Sequence, residues 1–485
     1  MSDISILTLA LLLLHWGLII GFTVRVIMRR RPVGVSLAWI AIIFSVPLLG
    51  VLTYLAIGEN RISEQYVKRA RAIRAEYVQW QKSLDEQALI DHSELYAEAS
   101  PLLNQARSVS GFPALPGNRL KLIEDFQSVF RSIIDDIDRC KRTCHLEFYI
   151  WHPGGLADEL QDALLRAVKR GVTCRVLVDA FGSKGFLASP STRVMREAGI
   201  EVQDALPAGI LYMFLSRADL RNHRKLIVID GEIAYTGSQN LVDPRNFKQD
   251  AGVGQWIDAM VRIDGPAVEA LACSFIQDWE VATGVGLDRL RSNSDIRPLP
   301  TTGTVPVQAV PSGPGWMPMA IHQLLLTTLY AARRELIITT PYFVPDESLL
   351  SALVSAAHKG VDVRLILPER NDSLLVHYSS RSYYADLLAA GVHIHCFQGG
   401  LLHTKSISVD GELCLFGSVN MDMRSIWINF ELSLLVYDRE FTRELRQMQL
   451  NYISRSVAID SHDWQRRPRW EHFIENGVRL ASPLL

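Results

Sequence analysis

The stretch His-Thr-Lys-Ser-Ile-Ser-Val-Asp at residues 403–410, with Gly-Ser-Val-Asn at 417–420, has a second copy earlier in the chain. The earlier copy reads His-Arg-Lys at 223–225, continues to Asp230 and ends in Gly-Ser-Gln-Asn at 237–240. The matched positions keep one offset, because 403 − 223 and 420 − 240 both give 180. Two copies with His, Lys, Asp, Gly, Ser and Asn in register predict that the chain contains a duplicated unit.

Each copy predicts a β-hairpin. His and Lys stand two residues apart and are followed by alternating, largely apolar runs at 226–229 and 407–409, so both side chains project from one face of a strand. Asp-Gly at 230–231 and again at 410–411 predicts the turn. The return strand would then bring a serine and an asparagine beside each His-Lys pair.

These side chains predict phosphodiester chemistry. Each copy offers one imidazole, one cation and two hydrogen-bond donors, and only the two copies together supply both a nucleophile and an acid. The non-bridging oxygens of a phosphate diester need cationic donors as charge develops on them. One histidine would attack phosphorus while the other protonates the leaving oxygen. A duplicated structural domain with surface histidines is the weaker alternative, because a repeated buried Lys-His pair is costly without an anion to bind.

The repeated pattern His-x-Lys-x4-Asp-x6-Gly-Ser-x-Asn resembles the phospholipase D superfamily. Two N-terminal hydrophobic spans, the run Gln-Asp-Ala-Gly-Val-Gly-Gln-Trp at 249–256 and the ending Ser-Pro-Leu-Leu at 482–485 make the chain similar to the bacterial cardiolipin synthases of that superfamily. The resemblance implies a phosphatidyltransferase that joins two phosphatidylglycerol molecules into cardiolipin and releases glycerol. A phosphatidyl-histidine would be the intermediate.

Three other functions remain as alternatives. A hydrolytic phospholipase D acting on membrane phospholipids is the main one, because the choice between water and a lipid hydroxyl as acceptor depends on how dry the site is. A nuclease of the superfamily is disfavoured, since 50 Lys and Arg against 52 Asp and Glu give no overall basic field. No nucleic-acid partner is therefore expected. A membrane scaffold without activity would not need both motifs.

The predicted fold is α/β, with two duplicated phospholipase D-like αβα sandwich halves packed as a pseudo-dimer. The runs 169–178 and 358–367 resemble each other, so the duplication covers a whole αβ unit and not only the motif. If the halves pair, His223 and His403 should face each other across one phosphate-sized gap. The predicted divisions are a two-helix transmembrane hairpin at 1–60, a helical linker at 61–116, a first half at 117–284, an inter-half linker at 285–304, and a second half at 305–485 with a C-terminal interfacial tail.

Two apolar stretches predict membrane anchoring. Residues 4–23 are long enough to cross a bilayer, and a second span at 33–57 contains Pro47, which a membrane helix tolerates. Arginines follow both spans, so the positive-inside rule does not fix the orientation. The resemblance implies a multi-pass protein of the bacterial inner membrane with a cytoplasmic catalytic body. Two further stretches, 210–215 and 464–470, are candidates for contact with the lipid surface.

The resemblance also assigns roles to single residues. His223 is expected to be the nucleophile and His403 the acid and base, with a carboxylate orienting the histidine of its own half in each case, Asp258 in the first and Glu431 in the second. The expected catalytic residues are His223, Lys225, Asp230, His403, Lys405 and Asp410. The expected phosphate ligands, besides the two lysines, are Ser238, Asn240, Ser418 and Asn420.

The expected partners are phosphatidylglycerol and the lipid bilayer, and a homo-oligomer is left open. No metal-ligand set is visible in the sequence, and two lysines can replace one metal ion at a phosphate. Neither a metal nor another cofactor is therefore expected.

Overall fold

The computed structural model describes residues 6–29, 33–59, 62–85, 88, 96–206, 217, 219–285, 296–315 and 319–480. The chain divides into two compact units, one made of residues 1–65 and 207–220 and the other of residues 66–206 and 221–485. Both motif copies lie in the second unit. The stretch 210–215, predicted to contact lipid, lies outside the described residues.

The first unit is a group of apolar helices. They are α1 Ile6–Met28, α2 Val33–Ser45 and α3 Pro47–Thr53, followed by a π-helical turn at Tyr54–Gly58. Within the described part of the chain one helix, Thr8–Met28, is long and apolar enough to cross a membrane, with a mean hydropathy of 2.0. The predicted span 33–57 is not one helix. Pro47 has no N–H and begins α3, so the helix divides at Val46.

A buried acid faces the arginines at the end of α1. Arg25 Nε donates to Glu59 Oε1 at 2.6 Å, and Arg29 Nη2 donates to Glu59 Oε2 at 3.2 Å. Glu59 is only 2% exposed. The positive-inside rule counts the arginines at the C-terminal end of α1, and the ion pair with Glu59 neutralises part of their charge.

The second unit is built on one mixed sheet of 15 strands. Its central pair is antiparallel and consists of β1 Leu115–Ile123 and β9 Val305–Ser312. Outward from β1 come β8 Met260–Asp264, β6 Ile233–Gly237, β5 Lys225–Ile229, β2 Thr143–Phe148, β3 Thr173–Asp179 and β4 Glu201–Ala205. Outward from β9 come β18 Glu431–Val436, β16 Leu413–Gly417, β15 Ser406–Val409, β10 Glu335–Thr339, β12 Asp362–Pro368, β13 His393–Phe397 and β19 Ser456–Ala458.

The strand order is the same on the two sides of this pair. Going outward, each side has four antiparallel pairings and then two parallel ones, and β19 adds an antiparallel edge strand on the second side. Two short parallel pairs complete the strands, β7 Trp256–Ile257 with β14 Leu401–Leu402 and β11 Phe343–Val344 with β17 Met421–Asp422.

Helices cover both faces of the sheet. Alternate residues of β5 show this, since Leu226 and Val228 lie in a core with Phe275, whereas Ile227 lies in a core with Ile133 and Leu160. In chain order the helices are α4 Glu64–Asp85, α5 Ala99–Ser110, α6 Phe126–Arg139, α7 Leu156–Lys169, α8 Lys184–Leu187, α9 Pro190–Glu197, α10 Ala267–Thr283, α11 Ala320–Ala331, α12 Glu347–His358, α13 Leu374–Arg381, α14 Tyr384–Ala389, α15 Met423–Trp427, α16 Arg439–Ser454, α17 Ser461–Gln465 and α18 Arg469–Arg479.

Within the stretch predicted as a helical linker, 61–116, the described helices α4 and α5 are packed against other elements. Trp80 of α4 is buried and its Nε1 donates to Glu269 of α10 at 2.9 Å. Leu84 is fully buried in the same core. This part of the chain is therefore a structural layer of the second unit, because α4 carries enough apolar surface to cover α10.

Candidate active site

The two motif hairpins have the predicted form. Lys225 is the first residue of β5, which pairs antiparallel with β6, and β15 pairs with β16 in the same way. The turns have consecutive positive φ angles, 54° at Asp230 with 64° at Gly231, and 55° at Asp410 with 70° at Gly411. Such angles define the tight turn that matches the twist of paired strands. Each motif histidine lies just before its strand begins.

Short backbone pairings place each histidine against the other copy. The N–H of His223 donates to Phe430 O at 2.8 Å, beside the bridge between Asn222 and Phe430. In the second copy, β14 pairs with β7, and the N–H of His403 donates to Ile257 O at 2.8 Å. The residue that follows each acceptor is a carboxylate, which is thereby brought to the histidine of the opposite copy.

The histidine-carboxylate pairs are therefore crossed. His223 Nδ1 lies 2.8 and 2.9 Å from the two oxygens of Glu431, and His403 Nδ1 lies 2.8 Å from Asp258 Oδ1. The expectation that each carboxylate orients the histidine of its own half is wrong, because the short pairings join opposite copies. A carboxylate on Nδ1 fixes the proton there and leaves Nε2 of each ring to meet a substrate.

Two motif residues support the carboxylates from behind. Ser418 Oγ donates to Glu431 Oε2 at 2.5 Å and accepts the N–H of Leu432 at 2.9 Å. Ser238 Oγ accepts the N–H of Ala259 at 3.1 Å, next to Asp258. The prediction that these serines bind phosphate is not supported by their contacts, since both hydroxyls are engaged behind the histidines.

The glycine before each serine explains this position. A Cβ at Gly237 would lie 2.4 Å from Ala259 O, and one at Gly417 would lie 2.3 Å from Leu432 O. Any side chain there would collide with the backbone of the neighbouring strand. The motif needs glycine so that the hairpin can approach β8 or β18 closely enough for serine to reach the carboxylate.

The two asparagines are buried beside the motifs. Asn240 Oδ1 accepts the N–H of Ile150 at 3.1 Å, which turns the amide NH2 group away from that backbone N–H. Asn420 Nδ2 donates to Ser425 Oγ at 3.2 Å, and its Oδ1 has no hydrogen-bond partner among the described residues. A buried side-chain amide with a hydrogen-bonding group left unpaired is suited to bind a polar ligand. The assignment of the two asparagines as phosphate ligands stays a prediction.

Both motif lysines are almost fully buried. Lys225 is 0% and Lys405 2% exposed, and each Nζ donates to the backbone oxygen of its own histidine, at 2.6 Å to His223 O and 2.5 Å to His403 O. Burial lowers the pKa of Lys225 to about 7 and that of Lys405 to about 8, against the opposing effect of the nearby carboxylates. A bound anion would favour the charged form, so these lysines are suited to hold a phosphate.

Burial also lowers the pKa of both histidines to about 4, although Glu431 and Asp258 act in the opposite direction. The charge of Lys405 contributes to the shift at His223, and the charge of Lys225 contributes at His403. The two motifs are thus close enough to act on each other's titration. With these pKa values both rings are neutral near pH 7, the form in which imidazole is a nucleophile or base.

The motif aspartates lie at the opposite ends of the strands from the histidines. Asp230 accepts backbone N–H groups of residues 141–143 at 2.7 to 2.9 Å. Asp410 accepts those of residues 333–335 at 2.7 to 2.9 Å. Their assignment as catalytic residues is therefore corrected. Each one anchors the start of the strand next to its hairpin, β2 or β10.

Sequence reasoning missed an aromatic lining. The ring of Tyr149 lies 5.1 Å from that of His223, and the rings of Trp256 and Tyr342 lie 4.3 and 6.3 Å from that of His403. Asp372 accepts the hydroxyl of Tyr342 at 2.8 Å. Tyr149 and Tyr342 follow the C-terminal ends of β2 and β10, where α/β sheets bind their ligands, so strand position alone could have indicated them.

One cluster of candidate metal ligands occurs among the described residues. Asp460, His462 and Asp463 bring their ligand atoms within 4.8 Å of one another and are all exposed. Asp460 caps α17 through the N–H groups of the other two. This cluster contains none of the motif residues.

Two buried imidazoles, each with a carboxylate behind it and a lysine beside it, define a phosphodiester-transfer enzyme of the phospholipase D class. A family model described as "Cardiolipin synthase, PLD-like domain" matches residues 133–279 and 325–451, and one described as "Phospholipase_D-nuclease N-terminal" matches 17–59. The chain belongs to the phospholipase D-like cardiolipin synthase family, a family of phospholipid phosphatidyltransferases.

Similar proteins cover nearly the whole chain. The cardiolipin synthase A of Cronobacter sakazakii is 45% identical over 481 residues, 99% of each chain. That of Salmonella arizonae is 45% identical over 471 residues, 97% of each chain. Among solved structures, the phosphatidylserine synthase of Haemophilus influenzae matches with a TM-score of 0.60 and 14% identity, over 79% of this chain and 99% of that one. At that identity the likeness concerns the fold alone.

Proposed function

We propose that this protein is a membrane-anchored cardiolipin synthase that transfers a phosphatidyl group from one phosphatidylglycerol to a hydroxyl of another. The observation that carries the proposal is the crossed pair of histidine-carboxylate contacts, 2.8 Å between His223 and Glu431 and 2.8 Å between His403 and Asp258. Two such pairs supply one nucleophile and one acid in a single buried site. The 45% identity to cardiolipin synthases over nearly the whole chain supports the same substrate class.

In the first step His223 Nε2 attacks the phosphorus of one phosphatidylglycerol. The bond between phosphorus and the head-group glycerol oxygen breaks, and that oxygen takes a proton from His403, so glycerol leaves. His403 must be an imidazolium at this point. The negative charge of the bound phosphate and of Asp258 favours that form and offsets the lowering of the His403 pKa by burial.

In the second step a head-group hydroxyl of another phosphatidylglycerol attacks the phosphatidyl-histidine. Its proton passes to His403, the bond between phosphorus and His223 Nε2 breaks, and cardiolipin is released. Lys225 and Lys405 would hold the non-bridging oxygens throughout, aided by Asn240 and Asn420. The choice of His223 over His403 as nucleophile rests on analogy with the superfamily.

The burial of the site favours a lipid hydroxyl over water as acceptor. His223 is 7% and His403 2% exposed, and Tyr149, Trp256 and Tyr342 line the rings. A site that excludes water protects a reactive phosphatidyl-histidine from hydrolysis. Hydrolytic phospholipase D activity is the second candidate, because it would use the same side chains.

We infer further that the two copies act as a pseudo-dimer, with both histidines facing one phosphate. The matching strand order about β1 and β9 supports this arrangement. The apolar helix Thr8–Met28 and the N-terminal family match at 17–59 support membrane anchoring. A two-pass hairpin in the bacterial inner membrane, with the second unit in the cytoplasm, is the arrangement we propose.

The proposal is tested with purified protein and phosphatidylglycerol as the sole lipid. We expect cardiolipin and glycerol in equal amounts, resolved by chromatography of a labelled substrate. A His223→Ala and a His403→Ala variant serve as controls for contaminating activity. Accumulation of phosphatidic acid without cardiolipin would contradict the proposal and establish the hydrolase instead.

A further inference from the structure

Helix α18 has its polar side turned inward. Glu475 is 2% exposed and accepts Arg381 Nε at 2.8 Å and Arg467 Nη1 at 2.6 Å. Glu471 accepts the same two arginines at 3.3 Å. Since Glu471 and Glu475 are four residues apart, they share one face of the helix, and that face is held against α13 by ion pairs.

The opposite face of α18 is apolar and exposed. Trp470 is 61%, Phe473 80% and Ile474 37% exposed, and Leu480, just after the helix, is 85% exposed. Positions 470, 473 and 474 lie on one side of a helix, away from Glu471 and Glu475. A surface helix of a soluble protein turns its apolar side inward. The reversed arrangement indicates an apolar surrounding for this face.

The first turn of α13, the helix against which α18 packs, also carries exposed apolar side chains. Leu374 is 73% and Leu375 52% exposed, and α13 is joined to α18 through Arg381. We call the set Leu374, Leu375, Trp470, Phe473, Ile474 and Leu480 the apolar rim. Two helices that pack against each other thus both expose apolar side chains, whereas single exposed hydrophobic residues are common on any surface.

The apolar rim begins next to the active site. Asp372, two residues before Leu374, accepts the hydroxyl of Tyr342 at 2.8 Å and Lys248 Nζ at 3.0 Å. The ring of Tyr342 in turn lies 6.3 Å from that of His403. A chain of direct contacts therefore leads from a catalytic histidine to the edge of the apolar rim.

We propose that the apolar rim inserts into the lipid bilayer and so places the entrance of the active site at the level of the phospholipid head groups. The inference rests on the proposed function, because only a lipid substrate requires an entrance at the membrane surface. Arg466, just after α17, and Arg469, the first residue of α18, are exposed and would attract anionic phosphatidylglycerol. Tryptophan with arginine at one helix end is typical of segments that lie in the interface.

This surface differs in part from the one that the sequence indicated. Of the stretch 464–470, Trp464 is buried and has the guanidinium of Arg467 at 3.3 Å and that of Arg381 at 4.7 Å from its ring. It packs against Tyr384 of α14, with ring centroids 5.0 Å apart, and does not face outward. Trp470 alone among the aromatic residues of that stretch belongs to the apolar rim.

Spin labelling of the full-length protein tests the insertion. A nitroxide is attached at Phe473→Cys, with Val194→Cys on α9, 47% exposed, as the matched control. Five of the six native cysteines are buried, so unsubstituted protein serves as the labelling blank. In nanodiscs of phosphatidylcholine and phosphatidylglycerol, we expect the label at 473 to be accessible to oxygen and shielded from a water-soluble nickel complex. The label at 194 should show the opposite.

Two outcomes would overturn the proposal. A label at 473 as accessible to nickel as the label at 194 would place the rim in water. Broadening of its spectrum that grows with the number of copies per disc would show that a second copy of the chain covers the rim. Both readouts are independent of turnover, so they remain informative if the protein makes no cardiolipin, and failure of insertion leaves cardiolipin synthesis testable by itself.

A kinetic comparison gives a second measurement. In the double variant Trp470→Ser with Phe473→Ser, the ratio of activity on bilayer phosphatidylglycerol to activity on a short-chain, monomeric phosphatidylglycerol should fall about tenfold or more. The thermal unfolding midpoint should stay near that of the unsubstituted protein, because both side chains are exposed. An unchanged ratio in a folded variant would contradict membrane insertion.

Discussion

Replacing Glu431 by glutamine should slow chemistry at His223, although the two residues belong to different copies of the repeat. Glu431 is 0% exposed, and both of its oxygens lie within 2.9 Å of His223 Nδ1. Burial opposes its ionisation, but the contact with His223 and the charge of Lys225 hold its pKa below the usual range. The carboxylate is therefore charged and available to stabilise the cationic ring that forms during attack.

The expected loss follows from the contact that is removed. A hydrogen bond to a charged group contributes about 1.5–3 kcal/mol, or roughly a 10- to 150-fold change in rate. Loss of the fixed tautomer adds to this, since replacing the aspartate of a catalytic triad by asparagine costs about 10⁴ in kcat. We expect formation of phosphatidyl-histidine to slow by roughly 10² to 10⁴ in Glu431→Gln.

The assay uses a phosphatidyl ester of p-nitrophenol, whose leaving group needs no acid. The first turnover then reports attack by the nucleophile, and the later steady rate also requires the second histidine. Glu431→Gln should lose the initial burst of p-nitrophenol. Asp258→Asn, the matched variant at His403, should keep the burst and lose the steady rate.

The opposite pattern would refute the assignment of Glu431 to His223 and of Asp258 to His403. A burst that survives Glu431→Gln but is lost in Asp258→Asn would make His403 the nucleophile, or would mean that each carboxylate serves its own half. Equal and small effects of both substitutions would show that neither carboxylate acts through a histidine. Ser418→Ala should have a smaller effect than Glu431→Gln, because it removes only the hydroxyl that donates to Glu431 at 2.5 Å and leaves the carboxylate in place.

Three further predictions concern the lysines and the aspartates. Lys225→Met and Lys405→Met should each lower the rate of cardiolipin formation by roughly two orders of magnitude. EDTA should have little effect on that rate. Inactivation by EDTA, reversed by adding one divalent ion, would show that the site needs a metal. The pKa values of these lysines are about 7 and 8, so tungstate binding near pH 8 should take up about one proton, measured calorimetrically in buffers of different ionisation enthalpy. No proton uptake would contradict a shared anion site. Asp230→Asn should lower the thermal unfolding midpoint, since its carboxylate accepts three backbone N–H groups and each such hydrogen bond contributes about 0.5–1.5 kcal/mol, while kcat of the folded enzyme changes little. A large fall in kcat would restore its catalytic assignment.

The local parts of the site could be predicted from the sequence. Spacing of two between His223 and Lys225, an apolar run and Asp-Gly are enough to specify a strand and a tight turn, and the structure has both. These features depend on interactions between residues close in the chain. The choice of Asp258 and Glu431 as the carboxylates behind the histidines comes from the resemblance to the superfamily and not from local spacing.

The partner of each carboxylate could not be predicted in this way. The contact between His223 and Glu431 joins residues 208 apart in the sequence, and that between His403 and Asp258 joins residues 145 apart. Such contacts depend on how the two copies pack, which periodicity does not encode. The role of Ser418 was missed for a related reason. Its spacing places it beside the motif lysine, but the close approach that Gly417 allows turns its hydroxyl to the carboxylate.

The crossed contacts make the catalytic competence of each copy depend on the other. A copy folded alone would have a histidine with no carboxylate on Nδ1 and a buried carboxylate with no cation, and an uncompensated buried charge is strongly destabilising. The short pairings of Asn222 with Phe430 and of β7 with β14 form only when the copies are packed correctly. A change that shifts the copies at β1 and β9 would therefore displace both histidine-carboxylate pairs together. Substitutions there should affect both catalytic steps in the same proportion, in contrast to the separate effects of Glu431→Gln and Asp258→Asn.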